Sequence, residues 1–208
     1  MSPSPLALQS SPDRRAAELA NPRACPMVVV TDVDGTLRDP RTHSLAPADL
    51  ALSTLATHGV PVVLAGTGPA PAIVALQDLL GLVQPFICRD TAEIHIPTGY
   101  FADPSLPRPS ARTWEVIELG PCESQTRAIR LLRSLYRSWN DRVVLIGLGD
   151  EWSDRFLLLE VDVPIIVRND EVDQARMIEW VPHALVTRES APAGWAEAIV
   201  GTNLPGCP

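Results

Sequence analysis

Short apolar runs that break off abruptly recur along the chain. Val28-Val29-Val30 leads through Thr31 into Asp32-Val33-Asp34-Gly35-Thr36-Leu37; residues 60–64 lead into Ala65-Gly66-Thr67-Gly68-Pro69; residues 143–146 lead into Gly147-Leu148-Gly149-Asp150-Glu151-Trp152-Ser153-Asp154. Runs this short and this apolar read as strands buried on both faces of a sheet. Helical spacing fills the gaps between them. Pro47 near a first turn and Gly59 past an end bracket one helix, with Ala48, Leu52 and Leu55 toward the core. Ile73, Leu76 and Leu80 mark a second, and residues 123–137 a third, with Ala128, Leu131, Leu132 and Leu135 inward and Arg130, Arg133 and Arg137 outward. Residues 85–88 and 93–96 read as the short strands of a hairpin, 114–119 and 164–167 as further strands, and 192–200 as a terminal helix carrying Trp195. Strands alternating with helices predict an α/β fold, a three-layer Rossmann-like core with a mostly parallel sheet and helices on both faces.

The pattern also divides the chain. Residues 1–26 are rich in Pro, Ser and Ala, with little periodicity beyond a short helical stretch at 13–19, and read as a mobile tail. Residues 27–201 form the core domain, 202–208 a second tail, and 103–112 a surface connection rich in Pro, Ser and Arg.

The strand ends carry the candidate chemistry. In open α/β sheets, ligand sites lie at the carboxyl ends of parallel strands. Asp32 and Asp34 could simply cap the next turn, but alternation puts both on one side of an extended chain, which concentrates charge unless a metal or a proton offsets it. Thr67, flanked by Gly66 and Gly68, is either a turn threonine or a hydroxyl that holds a phosphoryl oxygen. Asp150 and Asp154 are good helix-start residues on their own. A second acidic strand end beside the first points instead to one shared acidic site.

Composition narrows the partners. The 208 residues carry a net charge of -8, all 17 basic residues are Arg, and there is no Lys, which argues against nucleic acid or an anionic membrane as partner. The uncharged stretch at 59–77 is interrupted by Pro61, Gly66, Gly68, Pro69 and Pro71, so it reads as strand, turn and helix start rather than a membrane span. Cys25, Cys88, Cys122 and Cys207 are scattered without metal-ligand spacing and read as free thiols. The first residues lack a cationic start followed by an apolar core, so a cytoplasmic protein is expected.

At these residues the sequence resembles the haloacid dehalogenase superfamily of phosphohydrolases. The D-x-D-G-T stretch at Asp32 to Thr36, the hydroxyl at Thr67 and the G-D-x-x-x-D stretch at Gly149 to Asp154 stand in that family's order. Within the superfamily the chain is similar to the mannosyl-3-phosphoglycerate phosphatases: Pro85-Phe86-Ile87, the Ile-Pro-x-Gly-Tyr-Phe of 96–101, Ile117-Glu118-Leu119-Gly120, Gly147-Leu148-Gly149-Asp150 and Gly194-Trp195 fall where that group has similar residues. The resemblance implies a Mg²⁺-dependent phosphomonoester hydrolase acting on a small phosphorylated metabolite, a sugar phosphate or a mannosyl-3-phosphoglycerate-like ester. It makes Asp32 the nucleophile that forms an aspartyl-phosphate and Asp34 the acid/base. Thr67, Gly68, Gln125 and Arg127 would meet the phosphoryl group. The Mg²⁺ would be held by Asp32, the carbonyl of Asp34 and Asp150, with Asp154 alongside.

The departures from the family also carry expectations. The cap domain of the relatives has no counterpart, since Gly120-Pro121-Cys122-Glu123 runs almost directly into the third helix. The site would then be open to bulky substrates, or closed by a second copy of the chain. The lysine expected at the start of that helix is Gln125, and Pro69 and Arg89-Asp90-Thr91 replace other family residues. Arg89, Arg112 and Arg127 are the arginines available to restore the charge. The alternative reading is a catalytically impaired relative serving as a binding or regulatory subunit.

Overall fold

In the computed structural model, residues 26–102, 112–120 and 124–201 are described. Both tails, the short helical stretch at 13–19, most of the surface connection and three of the four cysteines lie outside them; Cys88 is a buried free thiol. The strands are β1 (Met27–Asp32), β2 (Val62–Gly66), β3 (Phe86–Cys88), β4 (Glu93–Pro97), β5 (Trp114–Glu118), β6 (Val144–Gly149), β7 (Val163–Arg168) and β8 (Leu185–Ser190). The helices are α1 (Asp49–Thr57), α2 (Ala70–Leu80), α3 (Ser124–Arg137), α4 (Arg155–Leu159), α5 (Ala175–Trp180) and α6 (Ala193–Gly201).

All eight strands form one sheet in the order β5-β4-β3-β2-β1-β6-β7-β8. β3, β2, β1, β6, β7 and β8 run parallel, while β4 pairs antiparallel with β3 and β5 antiparallel with β4, extending the β3 edge. β1 is therefore central, and its six residues are all buried, as its unbroken apolar run requires.

Alternation along the strands sorts the core into two halves. Val29, Val62, Leu64, Phe86, Leu148 and Val167 face α1, α2 and α6, where Leu55, Ile73 and Trp195 complete one cluster. Val28, Val30, Val63, Ile87, Leu145 and Ile166 face α3, α4 and α5, where Ile129, Leu132, Leu158 and Met177 complete the other. Asp32 shares the parity of Val28 and Val30, so it stands on the second side.

Two elements are absent from the sequence-based expectation: α5, and β8 at the sheet edge, where only Thr187 is buried. α3 is also rotated from its expected face. Ile129 and Tyr136 are fully buried, while Leu131 and Leu135 are half-buried. Its outward arginines are tied down: Arg130 makes a two-bond ion pair with Glu160, and Arg133 reaches Asp162 at 2.6 Å. Among the described residues every strand belongs to the one sheet, and no helix is long and apolar enough to cross a membrane.

Candidate active site

Parallel pairing brings the carboxyl ends of β1, β2, β6 and β7 to one edge of the sheet. Asp32 closes β1, and Asp150 follows directly on β6. Thr31 pairs with Leu148, so Asp150 stands just beyond the level of Asp32. Asp154 comes from the short 3-10 turn Trp152–Asp154 that precedes α4. All three are buried, at 4%, 2% and 1% exposure, and offer carboxylate oxygens within 4.8 Å of one another.

Each carboxylate is oriented by a different segment. Asp150 accepts from the Thr36 hydroxyl at 2.6 Å and from Asn169 Nδ2 at 2.7 Å, while Gln174 Nε2 donates to its backbone carbonyl at 2.6 Å. Asp154 Oδ2 accepts from the backbone N–H groups of Asp150 and Glu151 at 2.9 and 3.0 Å, which tightens the turn that carries it. Gly35 lies against Asp150 with φ of +86°; a Cβ there would fall 2.4 Å from Oδ2. The D-x-D-G-T turn therefore needs glycine on both conformational and steric grounds. Behind Asp32, the Trp195 indole donates to the Thr31 hydroxyl at 3.0 Å, and that hydroxyl donates to the Asp32 carbonyl at 2.7 Å.

Arg89 is the cation of the group. It follows β3, and its side chain is only 7% exposed. Nη1 donates to Asp32 Oδ1 at 2.6 Å and to Asp154 Oδ1 at 2.8 Å; Nη2 donates to the Ser153 hydroxyl and lies 3.6 Å from Glu151. The network sets the orientation of the Gln125 amide: its oxygen accepts from Arg89 Nε at 2.7 Å and Nη2 at 3.2 Å, and its nitrogen donates to the Ser153 carbonyl at 3.0 Å.

The electrostatics follow from burial. Desolvation, then the neighbouring Asp154 charge, raises Asp32 well above the usual carboxylate range, with Arg89 opposing. Asp154 is raised by burial against the pull of Arg89. Asp150 is pushed up to about 6 by burial, with its Thr36 and Asn169 hydrogen bonds opposing. For Arg89, burial works against the charge, but Asp154 and Asp32 outweigh it and leave the guanidinium more basic than usual. With all ionised, three carboxylates against one guanidinium leave two negative charges uncompensated. A divalent cation would neutralise both, and an all-oxygen donor set fits a hard one.

The remaining sequence-predicted residues are placed differently. Asp34 is at the mouth, 39% exposed, held by Arg38 Nε at 2.5 Å and Nη2 at 3.0 Å. Thr67 and Gly68 follow β2; Thr67 is exposed, and the Gly68 N–H donates to the Asp90 carboxylate at 2.7 Å. Gln125 reaches the acidic group through Arg89, whereas Arg127 is turned away and donates to the Leu119 carbonyl at 2.6 Å. Arg112 is likewise occupied elsewhere, with Asp78 and Gln77. Asn169 and Gln174 were not expected. Their signal is a further strand end, the polar Arg168-Asn169-Asp170 after the apolar β7.

No family model matches the chain. A glucosyl-3-phosphoglycerate/mannosyl-3-phosphoglycerate phosphatase from Persephonella marina is 27% identical over 138 residues, covering 66% of this chain and 48% of that protein. The chain spans about half the length of the curated relatives it matches. Among solved structures, a haloacid dehalogenase-like hydrolase from Bacteroides thetaiotaomicron superposes with a TM-score of 0.58 at 14% identity, over 84% of this chain and 98% of that one. The 3-deoxy-D-manno-octulosonate 8-phosphate phosphatase from Moraxella catarrhalis, in complex with magnesium, phosphate and the sugar acid, superposes at 0.53 and 14% identity, over 92% and 90% of the two chains. In sequence and in fold, the chain resembles the haloacid dehalogenase superfamily.

Proposed function

We propose that this chain is a divalent-metal-dependent phosphomonoester hydrolase that works through an aspartyl-phosphate on Asp32. The observation that carries the reading is the burial of Asp32 at a strand end, with Asp150 within ligand distance and a guanidinium on its carboxylate. The phosphatase similarity adds to it. A carboxylate is a weak nucleophile, and it gains from a site that orients it and withdraws charge from the phosphoryl group.

Asp32 attacks phosphorus, an Asp32 oxygen–phosphorus bond forms, and the ester oxygen leaves with a proton from Asp34. Asp34 then takes a proton from a water that attacks the same phosphorus; the Asp32–phosphorus link breaks, and phosphate is released. Asp34 suits a proton carrier because it is solvent-accessible, and Arg38 holds it at the mouth until substrate arrives. The Asp32 and Asp150 carboxylates and the Asp34 carbonyl would hold Mg²⁺, which would draw charge from the phosphoryl oxygens. Thr67 and the Gly68 N–H would receive those oxygens, the phosphoryl group taking the place of the Asp90 carboxylate on that amide.

The substrate class is a small phosphorylated metabolite, a sugar phosphate or a mannosyl-3-phosphoglycerate-like ester. A binding or regulatory role without turnover draws on the uncharged Gln125, on Pro69 and on the missing cap; Arg89, 2.6 Å from Asp32, bears on the first of these in favour of turnover. Phosphate release from a panel of sugar phosphates and phosphoglycerate esters with Mg²⁺ tests the proposal. Turnover that Asp32→Asn abolishes supports it; a wild-type protein inert on the whole panel overturns it.

A further inference from the structure

Arg89 and Gln125 converge on the nucleophile from separate elements. The chain has no Lys, and the residue at the start of α3, where the family resemblance expects one, is Gln125. β3 lies two strands from β1, roughly 10 Å at about 4.8 Å per strand, a span that calls for a long side chain. Arg89 covers it and ends between Asp32 and Asp154.

The guanidinium's hydrogen bonds decide how it acts. Arginine has five N–H donors. Both on Nη1 are taken by Asp32 and Asp154, both on Nη2 by Ser153 and Gln125, and the one on Nε by Gln125. None remains for a phosphoryl oxygen, so Arg89 works through the Asp32 carboxylate rather than by gripping substrate. Gln125 is the complement of this arrangement, since its amide oxygen accepts from the arginine and its nitrogen ties the pair to the Ser153 carbonyl.

We infer that Arg89 is the positioning residue of Asp32, a cation delivered from β3 instead of α3, and that Gln125 is its holder. This rests on the reading of Asp32 as nucleophile. Arg89 fixes the carboxylate's direction and offsets the repulsion between it and an incoming phosphate dianion. Because the same cation opposes a divalent metal among the same carboxylates, its removal lowers turnover and tightens metal binding. A merely structural role would lower both.

The test compares the wild type with Arg89→Ala, Arg89→Lys and the double variant Arg89→Ala/Gln125→Lys. In steady-state assays kcat of Arg89→Ala falls by about 10²-fold or more, with KM within about threefold. Arg89→Lys keeps part of the rate, and the lysine of the double variant recovers about tenfold of the loss. In calorimetric titration with Mg²⁺ alone, Arg89→Ala binds about threefold more tightly or better. A kcat within about twofold of the wild type, or a Mg²⁺ affinity that falls together with kcat, overturns the inference. A wild type without turnover whose Arg89→Ala variant binds Mg²⁺ more tightly overturns the phosphatase reading and supports Arg89 as the counter-ion of the three carboxylates.

Discussion

Asp150 connects the site to the stability of the whole protein through one proton. Its carboxyl is raised to about 6 by burial, whereas the unfolded chain releases that proton near the ordinary carboxylate value of about 4. Between those values the folded protein holds more protons than the unfolded one, so the contribution present at low pH is lost as pH rises through the folded value. The metal-free protein is therefore expected to lose melting temperature from pH 5 to pH 7.5, and Asp150→Asn to flatten that loss. Mg²⁺ should raise the melting temperature more at pH 7.5 than at pH 5, which thermal scans with and without metal would show. Gly35→Ala makes a steric version of the same point. With φ of +86° and a Cβ 2.4 Å from Asp150, it is expected to weaken Mg²⁺ binding in titration and to cost most of the activity. At this scale the acidic half of the site was legible, because Asp32, Asp150 and Asp154 each terminate or follow an apolar run. Arg89 was one of three arginines offered for the missing charge, but its selection over Arg112 and Arg127, and the polar partners Asn169 and Gln174, were not legible, since their convergence depends on the order of strands in the sheet, which spacing along the chain does not encode. Arg127 shows the reverse: its place near a helix start suggested a phosphate contact, and the Leu119 carbonyl takes its guanidinium instead.

Among the elements, α6 bears directly on β1. Gly194 opens the way for it, as a Cβ there would lie 2.1 Å from the Glu189 carbonyl oxygen and 2.7 Å from the Thr187 hydroxyl. Backbone cannot yield as a side-chain end can, so Gly194→Ala should destabilise the protein by roughly 2 kcal/mol, read from denaturant unfolding. It should also slow any Asp32 chemistry, because Trp195 reaches β1 through Thr31, next to Asp32. The unbroken apolar runs of β1, β2 and β6 and the periodic α3 were readable from sequence. α5 is short, and β8 is mostly exposed, with a single buried position and so no apolar run to betray it.

For the molecule as a whole, the arrangement is one sheet between two helical layers, with the acidic group at its edge. Among the described residues no second sheet stands over that edge, and only residues 119–123 link β5 to α3 in the sequence. If the phosphatase reading holds, recognition should fall mainly on the phosphoryl group, and kcat/KM should vary by less than about tenfold between small and bulky sugar phosphates. A variation of several orders of magnitude would mean that something closes over the substrate.

The central place of β1 has a consequence for a chain made from its N-terminal end. One neighbour, β2, begins 30 residues after β1 ends, but the other, β6, begins only at Val144. On the ribosome the Met27–Asp32 segment, apolar from Met27 to Val30, would keep one side unpaired until Val144 and the residues after it had been added. The strand that carries Asp32 is thus also the segment most in need of protection before the domain is complete.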